Sequence, residues 1–176
     1  MFMKKILTFI LIGLFAYCKS QFNFSPGANN PNSNIDKFIG AWIWQDNEKS
    51  LELVFRKENI LLPIKGNVRA DALIGFHKYV NNNVIIESSV QYSDTNYESK
   101  KSTILGYTFN DTNKLVGSIT HISKNKNIEY EIEYIDSNHI KLLSLKNHNG
   151  VKINVPGQPL YDSSITLPAN IILTRK

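Results

Sequence analysis

The stretch Gly40-Ala41-Trp42-Ile43-Trp44 carries the strongest structural signal in this chain. Residues at positions i and i+2 of an extended segment point to the same face, so the indoles of Trp42 and Trp44 lie on one side of a strand. So much rigid apolar surface needs a core to enter. The stretch therefore predicts the first strand of a small β-barrel. One short helical turn over residues 35–39, capped by Asn34, is expected to precede it.

Eight further β-like runs follow this stretch, separated by clusters of Asn, Asp, Gly and Lys. Asn and Asp tolerate positive φ and favour tight turns, which makes consecutive strands antiparallel. No segment after Asn34 keeps an apolar period near 3.6 long enough for a convincing helix. The sequence predicts an all-β, antiparallel up-and-down barrel of about eight to nine strands. The nine predicted strands are 41–45, 51–57, 72–80, 84–92, 103–110, 115–123, 128–135, 140–146 and 170–174.

The N-terminal segment has the pattern of an export signal. Lys4 and Lys5 precede an apolar run at residues 6–16, which is too short to span a bilayer and has the length of a signal-peptide core. Cys18 and Ser20 are small residues at the positions that signal peptidase reads, so cleavage would follow Ser20. An alternative is acylation of Cys18, as in lipoproteins.

These features predict three segments: a signal peptide over residues 1–20, a flexible spacer rich in Asn and Pro over 21–34, and the barrel domain over 35–176. The expected location is periplasmic or extracellular, with an outer-membrane lipoprotein as the alternative. Contact with a membrane is expected only through a lipid on Cys18.

The net charge argues against nucleic acid as a partner. Residues 1–20 contain three lysines and no acid, so their removal lowers the formal charge from +5 to +2. A nearly neutral domain lacks the one-sided basic field typical of nucleic-acid binding. Cys18 is the single cysteine, so no disulfide is expected in the barrel.

Motifs for catalysis or metal binding are absent from the sequence. His77, His121, His139 and His148 have no metal-ligand spacing, and there is no Gly-x-Ser-x-Gly, phosphate loop or cysteine nucleophile in the barrel. We therefore expect no enzyme activity, cofactor or metal. A site assembled in three dimensions from His77, His121 and a glutamate stays open as an alternative.

Glu87 is a further candidate, because it stands on an otherwise apolar predicted strand. Facing inward, it would be a general acid or a ligand partner. Its phase is opposite to that of Val84, Ile86 and Val90, which predicts that it faces outward.

Five residues are candidates for contact with a ligand. Tyr130 and Tyr134 share one face of an alternating strand, which makes them either cavity lining or core. Leu62 and Arg69 belong to a long connection, which is either a lid over the barrel mouth or a strand extension packed on the rim. Trp44 completes the set because it lies on the face of Trp42.

At Gly40-Ala41-Trp42 the sequence resembles the lipocalin and calycin superfamily, whose first strand opens with Gly-x-Trp after a short helical turn. Residues 171–175 look like a last strand with the arginine that lies across the tryptophan in such barrels. The resemblance implies that Gly40, Trp42 and Arg175 close the barrel and have no catalytic role.

The chain is also similar to a family of small exported proteins of unknown function from Bacteroidota. The common features are the bias towards Lys, Asn and Ile, the Cys-Lys-Ser-Gln end of the leader at residues 18–21, and the Gly-x-Trp entry. That similarity implies no activity.

Two hypotheses of different classes follow. In the first, the exported barrel binds a small apolar or amphipathic ligand in its interior. In the second, side chains fill the interior and the domain is a structural or protein-interaction module of the cell envelope, because barrels of about eight strands can be just wide enough to be filled. A protein partner cannot be named from the sequence.

Overall fold

A computed structural model describes residues 25–149, residue 157 and residues 161–176. Within these residues the chain is all-β and forms a closed antiparallel barrel of eight strands, with two extra strands attached. The predicted fold class is confirmed. The signal peptide, Cys18 and the start of the spacer lie outside the described residues.

All nine predicted strands are present, together with a two-residue strand at the N-terminal side. The strands are β1 (Asn29–Asn30), β2 (Gly40–Asp46), β3 (Lys49–Leu61), β4 (Arg69–Asn81), β5 (Val84–Ser88), β6 (Ile104–Thr108), β7 (Lys114–His121), β8 (Lys126–Asp136), β9 (His139–Asn147) and β10 (Ile171–Arg175). Short 3-10 helices span Ser33–Phe38, Val90–Tyr92, Tyr97–Ser99 and Ile122–Lys124.

The barrel wall follows chain order and omits β5, and β10 closes the sequence of strands by pairing with β2. Its strand order is β4-β3-β2-β10-β9-β8-β7-β6, and antiparallel pairing of β6 with β4 closes it. β5 pairs only with β4 among the described residues, and β1 pairs with β4 in parallel. Asn47, Asn82, Asn83 and Asn125 have positive φ in the turns. The asparagine clusters therefore make the tight turns that their composition predicts.

Side chains fill the barrel interior. Every strand from β2 to β10 except β5 contributes inward residues to one core cluster. Tyr130 is accommodated because Gly106, on β6, has no Cβ: a Cβ there would lie 2.0 Å from the tyrosine hydroxyl. The cluster comprises Ile35, Phe38, Trp42, Leu51, Leu53, Phe55, Leu73, Tyr79, Ile104, Leu115, Ile119, Ile128, Tyr130, Ile132, Ile140, Leu142, Leu167 and Leu173.

A second, smaller apolar layer lies outside β4. Ile74 and Phe76 are fully buried although they alternate with the inward residues of the strand. Part of the segment between β5 and β6 lies over this outer side, where Arg56 Nη1 donates to the carbonyl of Ser93 at 2.6 Å and the amide of Tyr97 donates to Glu58 at 2.8 Å. Strand β4 is therefore buried on both faces.

The residues before the barrel are attached to it from Gly27 onward. The amide of Gly27 donates to the carbonyl of Gly66 at 2.6 Å, and the side chain of Asn32 donates to Thr108 at 3.1 Å. Asn32 caps the helix Ser33–Phe38, so the cap lies two residues before the predicted Asn34. This part of the predicted spacer packs on the barrel wall.

Candidate functional site

Arg175 joins the two ends of the barrel sequence. Its guanidinium carbon lies 4.1 Å from the ring centroid of Trp42, its partner across β10 and β2. Its three nitrogens donate to the carbonyls of Ser137 at 2.7 Å, Ile39 at 2.7 Å and Lys37 at 3.1 Å. One side chain thus ties the last strand to the first strand, the helix before it and the β8–β9 turn.

Gly40 makes room for this contact. Its φ is +127°, and a Cβ on it would lie 2.7 Å from Arg175 Nη1. Trp42 is fully buried, and its indole N–H donates to the carbonyl of Phe38 at 2.8 Å. The geometry is that of a structural closure in which every polar atom of the guanidinium faces a backbone acceptor or the indole ring.

The structure separates the five candidate ligand residues into two groups. Trp44, Tyr130 and Tyr134 all contact the core cluster, and Tyr134 packs edge-on against Phe38 with ring centroids 5.8 Å apart. All three occupy positions of core residues. For Tyr130 and Tyr134 this is the core alternative of the two that the sequence left open.

Leu62 and Arg69 lie at the other end of β3 from Trp44, whose partner on that strand is Leu51. Leu62 is half-buried in the β3–β4 loop, where its amide bonds to the carbonyl of Val68 at 2.9 Å. Arg69 is exposed at the start of β4 and donates to Asn59 Oδ1 at 2.7 Å. The residues before and after this loop extend β3 and β4, so much of the predicted connection is strand.

A groove of about 520 Å³ lies on the outer face of β6 to β9. Two rows of outward side chains cross these four strands in register. One row is Leu105, Ser118, Glu129 and Lys146, and the other is Tyr107, Val116, Glu131 and Ser144. Both rows begin with apolar side chains on β6 and end with polar ones on β9, so the groove changes from apolar to polar along its width.

The charges in the groove nearly cancel. Glu131 bonds Lys114 at 2.7 Å and Glu129 bonds His148 at 2.8 Å. Lys146 has no bonded partner among the described residues. The polar half of the groove therefore offers carboxylate acceptors and one ammonium donor at the same place.

A polar network with a buried centre lies inside the barrel wall, where β5 and β6 both meet β4. Glu87 Oε1 lies 2.7 Å from Nε2 of His77, and its Oε2 lies 2.9 Å from Nδ1 of His121. The amide of Ser123 donates to the same Oε2 at 2.8 Å. The side chains of all three titratable residues have no exposed surface.

The hydrogen-bond partners assign the proton positions in this network. His121 Nε2 accepts from the amide of Thr166 at 3.1 Å, so its Nδ1 carries the proton that it donates to Glu87. The other nitrogen of His77 lies 2.8 Å from the hydroxyl of Thr103, which is itself 2.7 Å from that of Ser89. Both oxygens of the carboxylate and all four imidazole nitrogens therefore have hydrogen-bond partners.

Burial away from water acts to raise the pKa of Glu87, but the hydrogen bonds from His77 and Ser123 outweigh it and lower the pKa to about 2. The carboxylate is therefore ionised at neutral pH. A buried charge is tolerated when donors surround it, and here three N–H groups do so. The network ties β4, β5 and β7 to the segment before β10 through Thr166.

The prediction that Glu87 faces outward is wrong, because the residue is only 4% exposed and its side chain has no exposed surface. β5 is not a wall strand of the barrel: its apolar residues Val84, Ile85 and Ile86 are exposed, and Glu87 turns inward. The predicted strand 84–92 also ends early, at Ser88, since the next residue bonds back to His77. The apolar residues of β5 thus lie on its solvent-exposed part and do not indicate a core-facing side.

The two histidines and the glutamate that the sequence left open as a three-dimensional site do meet. Each histidine bonds a different oxygen of Glu87, so their nitrogens do not converge on a common point. No group of three or more His, Cys, Asp or Glu side chains in residues 25–149 and 161–176 has the arrangement of a metal site. In the same residues, no helix has the length and apolar character needed to cross a bilayer.

No curated protein and no solved structure matches the chain. The likeness to lipocalins and the bacterial source stay predictions. Residues 3–176 match a family described as "Family of unknown function (DUF6705)". Since the match covers almost the whole chain, this β-barrel protein belongs to that family of unknown function, DUF6705.

Proposed function

We propose that this protein is an exported, non-catalytic β-barrel that binds a small amphipathic ligand in the groove outside β6 to β9. The observation that carries the proposal is the position of the groove: it lies on the outer wall, whereas apolar side chains pack the interior. The proposed ligand site is therefore on the outer wall, whereas the sequence analysis expected a ligand in the barrel interior.

The interior is an unfavourable place for a ligand. Large side chains such as Trp42, Phe38 and Phe55 are fully buried in a single cluster with inward residues of the opposite wall. Protein cores are packed at crystal-like density, and a ligand entering there would have to displace these contacts. The barrel is thus of the kind whose width side chains fill.

The groove has the size and chemistry of a small-molecule site. Its volume of about 520 Å³ falls within the range of roughly 300 to 1,000 Å³ common for such sites. Leu105, Tyr107 and Val116 supply an apolar wall, and the exposed Tyr107 ring offers a flat face. A ligand with an apolar part on β6 and a polar part over β8 and β9 matches this order.

The polar part of the ligand should be neutral and rich in hydroxyl groups. Glu129 and Glu131 would repel an anion, and their contacts with His148 and Lys114 occupy carboxylate oxygens that a cation would need. A hydroxyl both donates and accepts, so it meets the carboxylates and Lys146 equally well. Alkyl glycosides are the simplest compounds of this class.

The test is a titration of the purified protein with octyl glucoside below its micelle concentration, followed by amide shifts in NMR spectra. We expect saturable shifts at outward residues of β6 and β7, such as Tyr107, Val116 and Ser118. Shifts centred on Leu53 and Ile132 would instead place the ligand in the interior and overturn the proposed site.

A pair of matched variants sharpens this test. Ser118→Trp fills the middle of the groove from an outward position and should abolish the saturable shifts. Thr174→Trp makes the same change on β10, outside the groove, and should leave them unchanged. Loss of binding in both variants, or no binding to the wild type at millimolar concentrations, would contradict the proposal.

Export and location rest on the leader sequence, and the family match does not test them. Intact mass spectrometry of the protein from its own host's envelope and culture medium reads the processed N-terminus. A chain that begins at Gln21 supports export by signal peptidase, and an acylated Cys18 supports the lipoprotein alternative. A chain that keeps residues 1–20 in the cytoplasm would contradict export.

A further inference from the structure

β5 is an open edge of the sheet. Among the described residues it pairs with β4 on one side and with no strand on the other. Its first three residues, Val84, Ile85 and Ile86, are 60%, 57% and 39% exposed. An edge strand with exposed apolar side chains is an unusual feature, because such edges promote pairing with other chains.

The other edge of the same sheet lacks these properties. β1 has only two residues, Asn29 and Asn30, and prolines at positions 26 and 31 stand on either side of it. Short strands and prolines are the devices by which proteins protect sheet edges. β5 has five residues and no proline, and its one protective irregularity is the register shift with β4 at Ile86.

The residues of β5 themselves present no outward-facing charge. The sequence from Tyr79 to Ile86 contains no charged residue, and Glu87 turns its carboxylate into the barrel. The adjacent 3-10 helix carries Lys124, but its ammonium bonds Asp162 at 2.6 Å. The same helix adds the exposed side chain of Ile122 beside the strand.

We propose that β5 is a self-association site, at which two copies of this chain pair edge to edge. An antiparallel pair with its two-fold axis at Ile85 places Val84 of one copy opposite Ile86 of the other. The exposed apolar residues of the two copies then meet across the new ladder. The next pair outward sets Asn83 against Glu87, so no like charges face each other.

A second copy fits this edge because the edge is self-complementary. A two-fold interface requires one surface to match itself, and an uncharged apolar strand does so in the antiparallel direction. The pairing also satisfies the free backbone donors and acceptors of β5. A charged or strongly polar partner segment would gain only the backbone bonds.

The proposed dimer is a weak one. β5 has five residues, and the exposed apolar part is three residues long. Interfaces of stable complexes bury about 1,600 Å² in total, which is more than so short a strand pair supplies. We therefore expect a monomer–dimer equilibrium that depends on protein concentration.

Sedimentation equilibrium over a wide range of protein concentrations is the first measurement. The wild type should move from monomer towards dimer as concentration rises. Ile85→Lys places a charge at the centre of the pair and should weaken association at least tenfold. Ile172→Lys is the matched control, since Ile172 is 52% exposed but lies on β10, which is paired on both sides.

Hydrogen exchange identifies the surface involved. Amide protection at Val84 to Ile86 should increase with protein concentration in the wild type and in Ile172→Lys, and stay low in Ile85→Lys. Thermal melts show that both variants fold. Ser118→Trp, which fills the groove, should dimerise normally, so the two proposals can fail separately.

Three results would overturn the inference. One is a wild type that stays monomeric at the highest concentration. Another is equal loss of the dimer in Ile85→Lys and Ile172→Lys. The third is a dimer that forms without protection of the β5 amides, or protection of those amides only when a different protein is added.

Discussion

Two polar contacts hold distant parts of this barrel together, and they do so under opposite conditions. Arg175 lies half-buried at the surface and bonds backbone carbonyls, whereas Glu87 lies in the wall with no exposed side-chain surface and bonds two imidazoles. Both are charged groups with three or more hydrogen bonds. They differ in what surrounds them once a partner is removed.

Water can replace the partner in one case and is excluded in the other. Carbonyls released from Arg175 lie near solvent and can bond water, so only the net value of the contacts is lost. The imidazoles of His77 and His121, released from Glu87, are sealed inside and keep their full desolvation cost. Arg175 and Glu87 make the same number of hydrogen bonds, but we expect removal of Glu87 to cost more folding stability than removal of Arg175.

The largest effect is expected for Glu87→Ala. Removing the carboxylate leaves His77, His121 and the amide of Ser123 without their acceptor and opens a small cavity. Breaking a buried pair by removing one partner costs about 3–5 kcal/mol. Urea unfolding of wild type and variant measures the difference in the free energy of unfolding.

Two controls separate the carboxylate from general effects of substitution. Glu87→Gln keeps the volume and one acceptor, so it should lose less than Glu87→Ala. Glu48→Ala, in the exposed β2–β3 turn, should change stability by less than about 0.5 kcal/mol. A loss below about 1 kcal/mol in Glu87→Ala would show that the buried network contributes little to the fold.

Acidification should weaken the same network without any mutation. The pKa of Glu87 lies below its ordinary value, at about 2, so its contribution to stability is present above the unfolded-state pKa near 4.5 and is lost as the pH falls towards 2. At 1.36 kcal/mol per unit, the loss is at most about 3 kcal/mol. Burial and the charge of Glu87 raise the pKa of Tyr79, which has no effect in acid.

The measurement compares stability from pH 7 to pH 2 in wild type and Glu87→Gln. Asp71 and Asp136 also have lowered pKa values, through hydrogen bonds from Asn59 and from the amide of Asn138 respectively, so both proteins should weaken in acid. The wild type should weaken more. Parallel curves would mean that Glu87 is not the group that titrates.

The barrel could be predicted because its signals are local. Asparagine turns, alternating strands and the Gly-x-Trp entry depend on neighbouring residues, and all nine predicted strands are present. The buried network depends on three strands and a loop that meet only after folding. Its members are spread from His77 to Thr166, and no spacing connects them.

One signal for the network was nevertheless in the sequence. His77 shares its phase with Leu73 and Tyr79, and His121 shares its phase with Leu115 and Ile119, so both histidines had to point inward. Two inward imidazoles need a buried acceptor. The outward prediction for Glu87 failed because it assumed that the apolar face of β5 was the core face. On this strand the apolar side chains are exposed at an open edge.

The smallest of these effects is expected for Arg175→Ala, which should lower the free energy of unfolding by about 2 kcal/mol. A partly solvated cation–π contact is worth about 0.5 to 2 kcal/mol. The backbone carbonyls released from Arg175 can bond water, so they add little to the loss. Arg175→Lys keeps the charge but has no planar fork, so it should recover only part of the loss. Thermal melting with urea unfolding measures both variants. A loss that equals that of Glu87→Ala would show that solvent access does not separate the two contacts. Unchanged melting with a selective loss of ligand binding would show that Arg175 serves a site, because a residue that only joins the first and last strands acts on the fold as a whole.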